Sequence, residues 1–270
     1  MADPALGALL PKVKQAAVDA CACLHSGEDL KIRNKGSNDF ITRIDLEVSE
    51  YLCRELPRIF PAPVLSEENK TLPSAASCLW IIDPIDGTNN LIYDLPFYAV
   101  SIGLVREQQG ILGTVYIPAT GELFSAARGC GAFVENLRIP GVPVKPARVS
   151  EVDSLSRAIV MAETDPYFDR EKNPSMDLIK AVYRRCIDCR ITGSAAVDLS
   201  YIAAGRAHVH FCRHLNPWDY AGGTVILTEA GGIVSQWDGS PMAFEGKHTS
   251  LACSSRAIHE EMLALVGRFL

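Results

Sequence analysis

The chain has 270 residues, 48% hydrophobic and 21% charged, which excludes a disordered or coiled-coil protein and supplies enough apolar material for a large core. Lys and Arg number 26 against 32 Asp and Glu, and the net charge of −6 gives no positive field for phosphate backbones or anionic lipid, so neither a nucleic-acid nor a membrane partner is expected. The N-terminal residues carry no basic signal region and no apolar run approaches the ~20 residues of a membrane span, so a cytoplasmic location is expected, with the nine scattered cysteines as reduced thiols.

The first predicted element is a helix over 4–24 with Gly27 just past its end. A polar turn cluster, residues 34–39, precedes a second helix that starts at Thr42 as N-cap, with Ile44, Val48, Leu52, Leu56 and Ile59 at helical spacing. Strands are predicted over 79–82, 98–105, 111–117 and 122–127, the middle two joined as a hairpin through Gln108-Gln109-Gly110. Pro140, Pro143 and Pro146 then break regular structure, so residues 138–149 divide an N-terminal lobe, 1–147, from a C-terminal lobe, 148–270. The second lobe alternates: strands over 157–161, 187–191, 207–211 and 233–235, and helices over 176–185, 195–204, 218–230 and 257–269. The expected class is a layered α/β or α+β protein. Cys186 and Cys189, with His208, His210 and His214 beyond them, fit half of a zinc site as well as half-buried thiols and ordinary strand alternation.

The chemistry concentrates in Trp80-Ile81-Ile82-Asp83-Pro84-Ile85-Asp86-Gly87-Thr88-Asn89-Asn90. Asp83 falls where an apolar strand ends, the place at which α/β proteins set ligand sites, and Pro84 and Gly87 shape a tight turn in which the Asp83 and Asp86 carboxylates can converge. Converging carboxylates call for a cation. Hard oxygen donors, the Ile85 carbonyl among them, select Mg²⁺, Mn²⁺ or Ca²⁺, and the Gly87 and Thr88 amides add anion donors, which together describe a phosphate site. Taken alone, the same motif also reads as a strand-end turn with Asp83 capping and Asp86 solvated. An EF-hand loop fails because Ile85 occupies an oxygen-ligand position, a P-loop fails for want of its Gly-Lys-Ser/Thr, and the two-residue spacing of the acids disfavours an aspartyl-phosphate enzyme. Glu67 and Glu68 after a strand-like stub, and Asp219 in Pro217-Trp218-Asp219, are further acids at element ends.

These motifs resemble those of the inositol monophosphatase family, the Mg²⁺-dependent, lithium-sensitive phosphatases, in its bacterial type. Residues 83–88 match its first motif and 218–223 its second, with supporting matches at 35–42 with Asp45, 66–68, 193–196 and 229–232, in family order over nearly the whole chain. The resemblance implies an αβαβα sandwich, a homodimer, and hydrolysis of a small polyol or sugar phosphate by metal-activated water. Two to three Mg²⁺ per site are implied, with Mn²⁺ as a substitute. Glu67, Asp83 and the Ile85 carbonyl resemble the ligands of the first metal, and Asp83, Asp86 and Asp219 those of the second. Thr88 with Asp45 resembles the dyad that orients the attacking water, with Glu67 beside it in the catalytic set. Gly87 and Thr88 resemble the phosphate-binding amides, and Gly193, Ser194, Ala195 and Asp219 the substrate side. Fructose-1,6-bisphosphatase and 3'(2'),5'-bisphosphate nucleotidase activities are the alternatives within the enzyme class, and a non-catalytic metal- or phosphate-binding module outside it. In one departure, Cys212 stands where inositol-phosphate enzymes of the family commonly carry a Glu that accepts from ring hydroxyls, a role for which a thiol is poorly suited.

Overall fold

The computed structural model describes residues 4–25, 30–36, 39–69, 76–165 and 173–269. In chain order the elements are α1 (Pro4–Ala20), β1 (Arg33–Gly36), β2 (Asp39–Ile41), α2 (Arg43–Ile59), β3 (Val64–Ser66), β4 (Cys78–Asp86), α3 (Thr88–Ile92), β5 (Ala99–Arg106), β6 (Gln109–Ile117), β7 (Glu122–Ala127), β8 (Gly131–Asn136) and β9 (Lys145–Pro146). They continue with β10 (Ile159–Ala162), α4 (Pro174–Tyr183), β11 (Asp188–Arg190), α5 (Ala195–Ala203), β12 (Val209–Leu215), α6 (Pro217–Glu229), β13 (Ile233–Ser235), β14 (His248–Cys253) and α7 (Arg256–Val266).

Strands β3 to β9 form a seven-stranded sheet in sequence order, and β11-β10-β12-β14-β13 form a five-stranded one. Side-chain alternation in β4 sets the layers. Trp80 and Ile82 pack with Val13, Val48 and Leu52 of α1 and α2 on one face, while Ile81 points to the other, where Leu199 of α5 and Tyr220 and Ile226 of α6 lie. Met161, Cys212 and Ala252 of the smaller sheet close that same central core. On the outer face of the smaller sheet, Val160, Val209 and Phe211 meet Leu178 of α4 and Ile258 and Met262 of α7. Helices, sheet, helices, sheet and helices follow one another, which is the expected αβαβα sandwich. The central layer buries residues from both sides of the proline-rich stretch.

Several elements depart from the sequence reading. Strand β4 does not stop at Ile82 but runs through Asp83-Pro84-Ile85 to Asp86, and β12 continues past Phe211 through Cys212 to Leu215. The polar cluster at 34–39 is largely a hairpin of β1 and β2, whose connecting residues 37–38, like Gly27, lie outside the described set. Strands β8 and β14 were not expected; β14 pairs with both β12 and β13. The β5–β6 turn places Glu107 and Gln108 at φ 50° and 59°, one residue earlier than expected.

Candidate active site

A break in the register of β4 builds the site. Asp83 pairs with Ser101 of β5, but the next pair is Asp86 with Ala99, so an additional residue on β4 bulges out. In a regular strand, residues three apart face opposite ways; the bulge lets Asp83 and Asp86 address the same cavity. Pro84 sits inside the bulge, where no ladder N–H is required. Gly87 then turns at φ 91° into α3, and a Cβ there would lie 2.7 Å from the Phe97 carbonyl oxygen, so a side chain is excluded.

Neighbouring elements bring their acids to the same place. Strand β3 runs parallel to β4, and Glu67, one residue past its end, donates its N–H to the Ile82 carbonyl at 3.3 Å. Asp219 is the third residue of α6 and forms a capping box with Asn216, whose N–H donates to Asp219 Oδ2 at 2.7 Å. Helix α6 approaches closely because glycine faces glycine: a Cβ on Gly113 of β6 would come within 2.2 Å of the Gly222 carbonyl oxygen, and one on Gly222 within 2.8 Å of that of Ile102. Glu67, Asp83, Ile85, Asp86, Thr88 and Asp219 all line one cavity of about 590 Å³.

Hydrogen bonds fix the orientation of most of these groups. Thr88 Oγ1 lies 2.9 Å from Asp45 Oδ1 and 3.1 Å from the Ile85 carbonyl, while Asp45 Oδ2 accepts from the Thr42 N–H at 2.8 Å and hydroxyl at 2.5 Å. Asp86 Oδ2 accepts from Ser194 Oγ and from the Ala196 N–H, both at 2.7 Å. Asn90 Nδ2 donates to the Phe97 and Thr192 carbonyls, which ties α3 to the loop ahead of α5. Lys35 Nζ lies 3.2 Å from Glu67 and 2.5 Å from Glu68.

Crowding shows in the protonation equilibria. Burial, then the charges of Glu67, Asp86 and Asp219, hold the Asp83 carboxyl well above the usual carboxylate range. Burial, then Asp86 and Glu67, do the same for Asp219. Burial pushes Glu67 up to about 7 against the opposing charge of Lys35, and pushes Asp86 up to about 6 against its hydrogen bonds from Ser194 and Ala196. Asp83 Oδ1 is buried with no hydrogen-bond partner among the described residues. Oxygen donors that repel one another and keep a lone pair open inside a cavity fit divalent cations of the Mg²⁺ type.

The sequence profile of the inositol monophosphatase family matches residues 8–268. The chain belongs to this family. It is 34% identical over 246 residues to a fructose-1,6-bisphosphatase/inositol-1-monophosphatase of Thermotoga maritima, covering 90% of this chain and 89% of that one. It is 35% identical over 239 residues to the Nus factor SuhB of Vibrio cholerae, covering 87% and 86%. The inositol monophosphatase from Anabaena (Nostoc) sp. PCC 7120 superposes with a TM-score of 0.82 at 28% identity over 97% of this chain and 96% of that one. The protein is thus an inositol monophosphatase family phosphatase, of a metal-dependent kind.

Against that family background, the expected residues fall into three groups. Glu67, Asp83, Ile85, Asp86, Gly87, Thr88, Gly193, Ala195 and Asp219 line the cavity. Asp45 stands behind it, reached through Thr88. Ser194 departs from the expected substrate-facing placement: it is buried, caps α5 by accepting from the Val197 N–H, and spends its proton on Asp86. Cys212 lines the cavity and its thiol lies 3.6 Å from Asp165 Oδ1. Asp165, one of two lining acids that the motifs did not single out, Glu163 being the other, also accepts from Ser175, and His214 Nδ1 lies 3.7 Å away. Its signal was available, since Glu163-Thr164-Asp165 follows a predicted strand just as Asp83 does. Cys186 and Cys189 lie 3.6 Å apart, sulfur to sulfur, and His210 groups instead with Glu163 and Asp198, so the described residues assemble no zinc site from that cysteine pair.

Proposed function

We propose that the protein hydrolyses a small polyol or sugar phosphate monoester with Mg²⁺, using Thr88 and Asp45 to position the attacking water. The observation that carries this reading is the convergence of Glu67, Asp83, Asp86 and Asp219 on one cavity beside a Thr88 hydroxyl already oriented by Asp45. Glu67, Asp83 and the Ile85 carbonyl would hold one cation, and Asp83, Asp86 and Asp219 a second. Bound there, the cations lower the pKa of a water and neutralise charge on the leaving alkoxide.

The chain's own groups do the rest. With its proton directed to Asp45 or the Ile85 carbonyl, the Thr88 oxygen turns a lone pair to the cavity and accepts from the nucleophilic water, holding that water's remaining lone pair toward phosphorus. Asp45, held by two donors from Thr42, keeps the hydroxyl from rotating. The Gly87 and Thr88 amides would take the phosphoryl oxygens, and Asp165 and His214, which line the same cavity, the alcohol portion. Asp165 thereby provides a carboxylate acceptor on the side where Cys212 cannot.

The test is phosphate release from a panel of monoesters, including inositol 1-phosphate, glycerol 2-phosphate and fructose 1,6-bisphosphate, with Mg²⁺ and with EDTA. Release that needs Mg²⁺ is expected, and full turnover in EDTA would sink the reading. Uncompetitive inhibition by Li⁺, absent with K⁺ at equal ionic strength, is expected as well. The relatives named Nus factor favour a second reading, a role carried by the outer surface, which the negative net charge alone does not exclude. An Asp83→Asn variant that loses turnover separates the two, because a surface role survives it.

A further inference from the structure

Glu163, Asp198 and His210 form a second cluster to which phosphate hydrolysis assigns no task. One carboxylate oxygen from each acid and a ring nitrogen all lie within 4.8 Å of one another. Three elements supply them. Glu163 directly follows β10 and donates its N–H to the Phe211 carbonyl at 3.2 Å; Asp198 lies in the first turn of α5; His210 is on β12, paired with Met161 of β10. Because Val209 and Phe211 pack into the outer core, alternation turns His210 the other way, toward α5.

His210 Nε2 is 4.0 Å from Glu163 Oε1 and 4.0 Å from Asp198 Oδ2, beyond hydrogen-bond distance. Glu163 Oε1, Asp198 Oδ2 and both ring nitrogens of His210 have no hydrogen-bond partner among the described residues, although His210 and Asp198 are 0% exposed. Buried polar atoms are partnered in the great majority of cases, so open atoms facing one gap call for an occupant. Asp198 cannot easily close the gap, because its Oδ1 accepts from Thr192 Oγ1 at 2.6 Å. The gap thus holds two buried acids, Glu163 and Asp198, beside one imidazole, with no Lys or Arg paired to either acid among the described residues. A divalent cation compensates both, and one imidazole with two carboxylates selects a first-row transition ion over Mg²⁺.

We propose that Glu163, Asp198 and His210 bind a divalent transition-metal ion, with Zn²⁺ the best match to the nitrogen and carboxylate donors, at a structural site that adjoins the phosphate cavity and uses none of Glu67, Asp83, Asp86 and Asp219. The ion fastens the ends of β10 and α5 to β12, and because Glu163 also lines the cavity it fixes one wall of the phosphatase site. The proposal does not depend on which phosphate ester is cleaved.

Chelator-stripped full-length protein is saturated with Mg²⁺, given Zn²⁺, desalted and measured for retained zinc and for its zinc X-ray absorption spectrum. One retained equivalent with imidazole in the first coordination shell is expected. His210→Phe and Asp198→Asn, with folding checked by circular dichroism, are expected to weaken Zn²⁺ binding by about 100-fold or more, while Asp219→Asn keeps it. Absence of retained zinc, retained zinc without imidazole, or an imidazole shell that persists in folded His210→Phe overturns the proposal. Should neither variant fold, His214→Gln decides, because it removes the one imidazole that lines the phosphate cavity among the described residues: an imidazole shell kept in it supports the proposal, and one lost with it overturns it.

Discussion

Thr88 depends on a neighbour forty-three positions earlier in the chain for its orientation, because Asp45 accepts its proton at 2.9 Å while two donors from Thr42 hold Asp45 still. Positioned proton acceptors and donors contribute typically ~10²- to 10⁴-fold. Thr88→Val is therefore expected to lower kcat at least about 100-fold with KM little changed, and Thr88→Ser to recover most of the loss; a Val variant with wild-type kcat would exclude Thr88 from water positioning. Cys212 calls for a different outcome from the one its alignment implies. Cys212 is 3% exposed, with Asp165 and Glu163 both near enough to act on its thiol, so Cys212→Glu adds a third acid where two already crowd. The expected result is a melting temperature lower by several degrees with no gain in preference for inositol 1-phosphate over glycerol 2-phosphate, since a buried unpaired polar group costs about 1 to 3 kcal/mol. A raised preference at unchanged melting temperature would restore the hydroxyl-reading role to that position. At this scale the sequence was informative where a motif named the residue, as with Asp83 and Asp86. It failed for Ser194 and Asp165, because what a hydroxyl donates to, or which wall an acid joins, is decided by contacts across more than 100 and 40 positions respectively.

Most helices, and the strands over 79–82, 98–105, 111–117 and 122–127, followed from apolar spacing. The Thr42 cap was legible because Asp45 stands three residues on, which completes the capping box that opens α2. The end of β4 was not, since Asp-Pro-Ile-Asp-Gly looks like a turn and only pairing with β5 reveals a bulged strand. Strand β14 was missed because residues 250–253 are buried on both faces, Ala252 in the central core and Leu251 and Cys253 in the outer one, so it carries no polar–apolar alternation to read from sequence. The approach of α6 to β5 and β6 was likewise hidden in single glycines. A Cβ on Gly113 would meet the Gly222 carbonyl carbon at 3.1 Å and its oxygen closer still, so neither helix nor sheet can yield without a backbone shift. Gly113→Ala is expected to destabilise by about 1 to 3 kcal/mol and, by lifting α6, to displace Asp219 and weaken Mg²⁺ activation. Activity and Mg²⁺ dependence measured at a temperature where the variant stays folded check this; an unchanged Mg²⁺ requirement would mean that Asp219 is not placed by this contact.

Across the whole molecule, the layered sandwich brings seven carboxyls with raised protonation equilibria into one interior: Asp45, Glu67, Asp83, Asp86, Glu163, Asp198 and Asp219. The pH dependence of the metal-free fold follows. Glu67 at about 7 and Asp86 at about 6 bind protons more tightly in the folded chain than in the unfolded one, where 4.5 and 3.8 are usual. Between those limits the folded state holds more protons, so stability falls as pH rises: the stabilisation from protonated carboxyls is complete below the unfolded values and gone above the folded ones. Burial lowers His208, His210 and His259, which acts in the opposite direction and fades as pH rises about one unit past the ordinary imidazole value of 6.5. Comparing about pH 7 with about pH 8 leaves the imidazoles the smaller share, and EDTA-treated protein is expected to melt several degrees lower at the higher pH. Mg²⁺ should remove most of that difference, because a cation competes with protons for the same oxygens and gains most where the protons have already left. Calorimetry at both pH values, with EDTA and with Mg²⁺, reads all four states. Equal melting temperatures in EDTA, or a Mg²⁺-induced rise no larger at the higher pH, would show that the crowded carboxyls do not share the charge balance their placement in one interior implies.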